Sequence, residues 1–133
     1  MSGYYSHVSC HMCGKTEKET FVYTCRSCGG IMETVFNYDK DFSDRLRSGS
    51  FTKTDVMPFD SRYYVDLGQG GTLLVPAGTM SKDLGVSLFL KCEHLNPTGS
   101  FKDRPVSCGI SKALELGYKR VASCIGGLRG RCR

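Results

Sequence analysis

The chain has 133 residues, 40% apolar and 23% charged, with a formal net charge of +5. That is enough for one modest core, or for a small module joined to part of a second domain, and it lacks the polar bias of a disordered chain. No stretch has the length and apolarity of a membrane span, and the N-terminus shows neither the basic run nor the apolar core of a signal peptide, so a soluble cytoplasmic protein is the expectation.

Eight cysteines in a chain without a signal peptide point away from a disulfide framework. Four of them form two close pairs, Cys10-His11-Met12-Cys13 and Cys25-Arg26-Ser27-Cys28, separated by eleven residues. Each pair is the spacing of a tight knuckle that aims two thiolates at one tetrahedral cation, and residues 20–24 alternate like a strand carrying the second knuckle beside the first. Gly14 and the Gly29-Gly30 pair follow the knuckles and permit the positive φ such turns require. Structural zinc held by Cys10, Cys13, Cys25 and Cys28 in a ribbon over residues 1–35 is the leading reading; an iron centre and redox dithiols are the alternatives. His7 and His11 lie next to the ligands and could each replace a thiolate, although a surface histidine suits both better. A closed four-thiolate site has no open position for water, so its expected role is to fold a segment too small for its own core.

Residues 36–64 connect this ribbon to the remainder of the chain. Residues 31–36 could finish the ribbon as a strand, residues 37–41 are polar and turn-like, and residues 44–47 predict one helical turn ended by Ser48-Gly49-Ser50. Phe51, Met57, Phe59, Tyr63 and Tyr64 have no clear period and read as a segment packed over a core.

From residue 65 the pattern becomes α/β. Residues 73–75 and 86–90 predict strands, residues 106–116 a helix with Gly117 at its end, and residues 120–124 a further strand, which together imply a parallel sheet. In such sheets ligands bind at the carboxyl ends of strands. The segment Asn96-Pro97-Thr98-Gly99-Ser100-Phe101-Lys102-Asp103-Arg104 lies there. Asn96-Pro97 favours a turn, Gly99 allows close backbone approach, and Ser100-x-x-Asp103 reads as a capping box opening the helix. A lysine at a helix start, near other cations and partly desolvated, can act as a neutral amine and form a Schiff base with an aldehyde. The bland reading of Lys102 is a solvated surface charge. Lys91, Glu93 and His94 flank the segment and could reach a substrate, but read better as solvated charges. Cys92, Cys108, Cys124 and Cys132 have no ligand spacing.

The nine-residue segment resembles the cofactor-lysine motif of the threonine synthase family, pyridoxal-phosphate enzymes of fold type II. Leu67-Gly68-Gln69-Gly70-Gly71-Thr72-Leu73-Leu74-Val75 is similar to that family's Leu-Gly-Glu-Gly-x-Thr-Pro-Leu segment, and Leu88-Phe89-Leu90-Lys91-Cys92-Glu93-His94-Leu95 to the strand leading to its lysine. The resemblance covers about residues 60–124. It implies a fold type II domain, resembling the tryptophan synthase β subunit, over residues 65–124, with pyridoxal phosphate on Lys102 as Schiff-base partner and proton shuttle. The implied reaction takes a small phosphorylated amino acid, O-phospho-L-homoserine, and water to L-threonine and phosphate. Many members of the family begin with a similar ribbon.

Three departures from the pattern carry expectations of their own. Gln69 and Leu73 replace glutamate and proline, a tolerable change. Pro105 replaces glycine, and inside a helix it would cost up to about 3 kcal/mol and mis-aim Lys102. Residues 125–133 depart from the family's continuation and read as an aberrant tail, expected to be a frameshifted terminus, in which case the chain alone is inactive. Other amino-acid lyases or synthases of fold type II are close rivals by the same resemblance, and the alternative from another class is a non-catalytic zinc-ribbon module that binds a protein or nucleic acid. Scattered positive charge, clustered only at Arg129, Arg131 and Arg133, argues against nucleic acid.

Overall fold

The computed structural model of the protein describes residues 4–17 and 22–122. It divides into two compact units, Met1–Asp66 and Leu67–Arg133.

The first unit is built on a three-stranded antiparallel sheet. Strand β1 (Tyr5–Cys10) lies between β2 (Thr16–Glu17) and β3 (Met32–Phe36), in the order β2-β1-β3. Val8 pairs with Glu17 on one side and Thr34 on the other, and Cys10 pairs with Met32. Val8 and Cys10 are buried, the inward alternation of a half-exposed strand. Sequence reading did not anticipate β1. Of the strand expected over residues 20–24, residues 20 and 21 lie outside the described ones, and residues 22–24 form no strand beyond the bridge of Thr24 to Ile31.

Helix α1 (Lys40–Ser48) begins where a polar turn was expected. Asp39 caps it, accepting from the Phe42 N–H at 3.1 Å, and Gly49 ends it. A cap of this kind satisfies one of the four orphan N–H groups of a helix start. Phe42 then meets the edges of Tyr4 and Phe51, with ring centroids 5.1 and 5.4 Å away. Two 3₁₀ turns follow, Lys53–Val56 and Ser61–Tyr63, and between them Phe59 is buried and stacked on Tyr64. The aromatics without a period are packing residues.

In the second unit β4 (Leu74–Pro76) and β5 (Phe89–Lys91) pair antiparallel and not in the parallel sheet expected, because the chain between them, α2 (Gly78–Leu84), turns back as a hairpin loop and makes no crossover. The Ala77 N–H donates to Leu88 O at 3.0 Å and Ser81 Oγ accepts from the Leu88 N–H at 3.0 Å, so α2 is the loop of a wide hairpin. Leu74, Val75, Phe89 and Leu90 stay exposed, on both faces of the pair. The further strand expected over residues 120–124 is not formed by residues 120–122, and residues 123 and 124 lie outside the described ones, as does the tail over residues 125–133. No helix among the described residues is long and apolar enough to cross a membrane.

A 3₁₀ turn, Glu93–Leu95, leads to helix α3 (Asp103–Glu115). The helix ends in a Schellman motif, with the Gly117 N–H on Leu114 O and the Tyr118 N–H on Ala113 O at 3.0 and 2.9 Å. Among the described residues the buried set of this unit is mostly polar: Gln69, Thr72, Asn96, Asp103, Ser107, Ser111 and Lys112, with Ala113. Buried polar groups need partners.

Candidate functional site

The two knuckles of the first unit have the same backbone. The Cys10 N–H donates to Lys15 O and the Gly14 N–H to Cys10 O, both at 2.9 Å; the Cys25 N–H donates to Gly30 O at 2.7 Å and the Gly29 N–H to Cys25 O at 2.8 Å. Gly14 and Gly29 close these turns at φ +69° and +73°, a region that costs other residues strain. The result brings Cys10 Sγ within 3.5 Å of Cys28 Sγ and Cys13 Sγ within 3.6 Å of Cys25 Sγ, with all four sulfurs within 4.8 Å of one another. A tetrahedron of Zn–S bonds near 2.3 Å has an edge of about 3.8 Å, so the donor set fits one such cation.

Electrostatics points the same way. Backbone N–H groups of Ser27 and Cys28 hold the Cys25 thiol down to about 6. The Gly30 N–H favours the Cys28 thiolate, but hydrogen bonding with the Cys13 and Cys10 thiols outweighs it and pushes Cys28 up to about 12. Four adjacent sulfurs cannot all lose their protons without a cation among them. Neither histidine joins the cluster: His11 is exposed and 3.3 Å from Glu33, and His7 is 2.9 Å from Ser6 Oγ.

The lysine segment is organised differently from the expected capping box. Ser100 Oγ accepts from the Lys102 N–H at 3.2 Å, and Asp103, the first helical residue, turns its carboxylate back to the Thr98 N–H at 2.9 Å and to the Thr98 hydroxyl. A carboxylate in the first turn is favoured by the helix dipole and here also closes the turn before it. Lys102 is therefore the residue at the helix boundary. Its side chain is exposed, so the expected desolvation is not met, and its Nζ lies 4.7 Å from the centroid of Phe101. Among the described residues its ammonium makes no ion pair. Pro105 interrupts no hydrogen bond of the helix. It is the third helical residue, and the first i→i−4 bond reaches Lys102 O from the Val106 N–H at 3.1 Å, one residue beyond the proline.

Sequence reading missed what holds this segment. Gln69 is buried, its Oε1 accepting from the Leu67 N–H at 2.7 Å and its Nε2 donating to Ser107 Oγ at 2.8 Å. Glutamine in place of glutamate is thus accommodated by two good bonds. Asn96 Oδ1 accepts from the Gly70 N–H at 2.9 Å, and a Cβ on Gly70 would stand 3.1 Å from Arg104 Nη1, so glycine lets the chain pass under the guanidinium. Glu93, expected to be a solvated charge, accepts from Thr72, Asn96 and Arg104. These bonds, those of Arg104 first, hold its carboxyl down to about 2. Lys91 donates to the Thr72 carbonyl. Lys91 and His94 keep the solvent exposure expected of them, and His94 has no side-chain partner among the described residues.

Residues 65–131, just over half of the chain, match the family described as pyridoxal-phosphate dependent enzymes. The match runs into residues 125–131, which sequence reading assigned to an aberrant tail. Among curated relatives, a threonine synthase of Methanocaldococcus jannaschii is 38% identical over 122 residues, covering 84% of this chain and 30% of that protein. A threonine synthase of Methanosarcina acetivorans is 33% identical over 123 residues, covering 87% and 30%. A threonine synthase of Synechocystis is 48% identical over 64 residues, 47% of this chain and 17% of its own length. The chain thus spans about 30% of the length of the first two relatives. No solved structure matches it.

Proposed function

The chain belongs to the pyridoxal-phosphate dependent enzyme family, and from that premise we propose that residues 67–122 carry the lysine-bearing part of a threonine synthase, acting on O-phospho-L-homoserine and water to give L-threonine and phosphate. The reading includes a reducing, cytoplasmic compartment, in which the six cysteines among the described residues form no disulfide with one another.

The observation that carries this proposal is the presentation of Lys102. Its primary amine is exposed at the start of α3, free of any carboxylate among the described residues, which suits it to hold the cofactor by the aldehyde. When bound, pyridoxal phosphate supplies the electron sink that stabilises a carbanion. Lys102 is the group that would hold and move the proton. The 133-residue chain by itself is expected not to release phosphate from the substrate.

The test is to mix the chain with pyridoxal phosphate, reduce with borohydride and locate the adduct by mass spectrometry. Adduct concentrated on Lys102, and lost from that peptide in Lys102→Ala, is the expected result. Adduct spread evenly over the lysines overturns the assignment. Phosphate release by the short chain that disappears in Lys102→Ala would overturn the expectation of inactivity.

For the first unit the reading is a structural zinc held by Cys10, Cys13, Cys25 and Cys28, supported by the convergence of the four sulfurs. One zinc per chain is expected, and Cys25→Ser should abolish it. Unchanged zinc content in that variant would refute the site.

A further inference from the structure

One carboxylate binds both ends of the nine-residue segment that carries Lys102. Asn96, the first residue, donates from Nδ2 to Glu93 Oε2 at 3.0 Å. Arg104, the last, donates from Nε to the same oxygen and from Nη2 to Oε1, each at 2.8 Å. The Thr72 hydroxyl donates to Oε1 at 2.7 Å. An ionised carboxylate offers about four lone-pair sites, and these four donors occupy them, leaving none for a ligand. Thr72 and Gly70 belong to the glycine segment, and Gly70 is tied to the same node through Asn96 Oδ1.

We infer that Glu93 is a positioning residue for Lys102: it fixes the chain where it enters and leaves the lysine segment and locks the glycine segment onto both. It touches neither the amine nor the atoms that react. The inference rests on the proposed role of Lys102 as the cofactor-holding amine. A bidentate arginine–carboxylate pair adds geometric constraint as well as energy, which is what a positioning role requires. A carboxamide at position 93 keeps the size of the side chain but turns one acceptor into a donor, setting it against Arg104 or Asn96.

The experiment compares the full chain with Glu93→Gln and Arg104→Lys, by hydrogen exchange at the Gly70 amide and by the fraction of borohydride-trapped pyridoxal phosphate found on Lys102. Loss of bonds to a charged group predicts, for Glu93→Gln, exchange at Gly70 faster by about tenfold or more and a Lys102 fraction lower by a similar factor, with helicity and zinc content unchanged. Arg104→Lys keeps the charge but not the fork, and should move both readouts in the same direction by less. Wild-type values of both readouts in Glu93→Gln overturn the inference; so does faster exchange with unchanged trapping, which would make Glu93 a structural residue only. If Glu93→Gln does not fold, Arg104→Lys decides, and wild-type behaviour there overturns the inference. Unselective trapping in the unsubstituted chain, with exchange still accelerated in Glu93→Gln, removes the lysine assignment and leaves the clamp standing.

Discussion

Gly30 stands so close to Cys10 that a Cβ on it would lie 3.0 Å from the cysteine Sγ. The same Cβ would lie 3.0 Å from Met12 Cγ and 3.1 Å from Met12 Cβ; the exposed end of Met12 can turn away, whereas its Cβ is fixed to the backbone and the sulfur is held by its place among the thiols. Gly30→Ala should therefore displace a ligand and destabilise the ribbon by about 1–3 kcal/mol, the usual cost of forcing atoms into a filled site. Gly29→Ala should act through backbone strain alone, by about 1–2 kcal/mol, because open space surrounds that position. Competitive zinc titration separates them: affinity falls more in Gly30→Ala.

Pro105 sits where its missing N–H has no helical partner. Pro105→Gly should then bring no gain from a restored bond, and should cost about 0.4–1 kcal/mol by loosening the unfolded chain. Urea unfolding followed by helix signal measures it. A clear increase in stability would mean that the proline strains α3.

The pH dependence of the second unit should carry the mark of Glu93. Its carboxyl lies at about 2 in the folded chain against an ordinary 4.5. The folded state therefore binds fewer protons than the unfolded one between those values, so the stabilisation is complete above about 4.5 and is lost as pH falls towards 2. Denaturation midpoints at a series of acid pH values should fall more steeply for the unsubstituted chain than for Glu93→Gln, which has no proton to take up there.

In the first unit, Asp39→Ala removes the acceptor for the Phe42 N–H and should cost about 1 kcal/mol. Because Phe42 packs against Tyr4 and Phe51, near-ultraviolet circular dichroism should weaken together with the helix signal. Helix loss without an aromatic change would show that the cluster does not depend on the cap.

What could be read from sequence alone was local. The four cysteines lie in two pairs whose spacing implies their geometry, and the lysine segment carries its turn residues and the start of α3 within nine positions. Helix α1 was shortened because Asp39, its cap, is hidden in a polar run that also reads as a turn. Strand β1 was missed because its alternation is interrupted by an irregularity between Tyr5 and His7. The node around Glu93 was beyond reach for a different reason. Gln69 with Ser107, Gly70 with Asn96 and Thr72 with Glu93 are pairs far apart in the chain, and no periodicity marks residues that meet only after folding.

That same separation sets the timing of the clamp. Thr72 and Arg104 lie 21 and 11 residues from Glu93, so two loops must close before the carboxylate can exchange water for its full set of donors. A bond network that gains only when all its members are present forms late, after the folding barrier has been crossed. Replacing Glu93 should leave the refolding rate nearly unchanged and raise the unfolding rate, so the clamp governs how long the lysine segment stays assembled rather than how quickly it assembles.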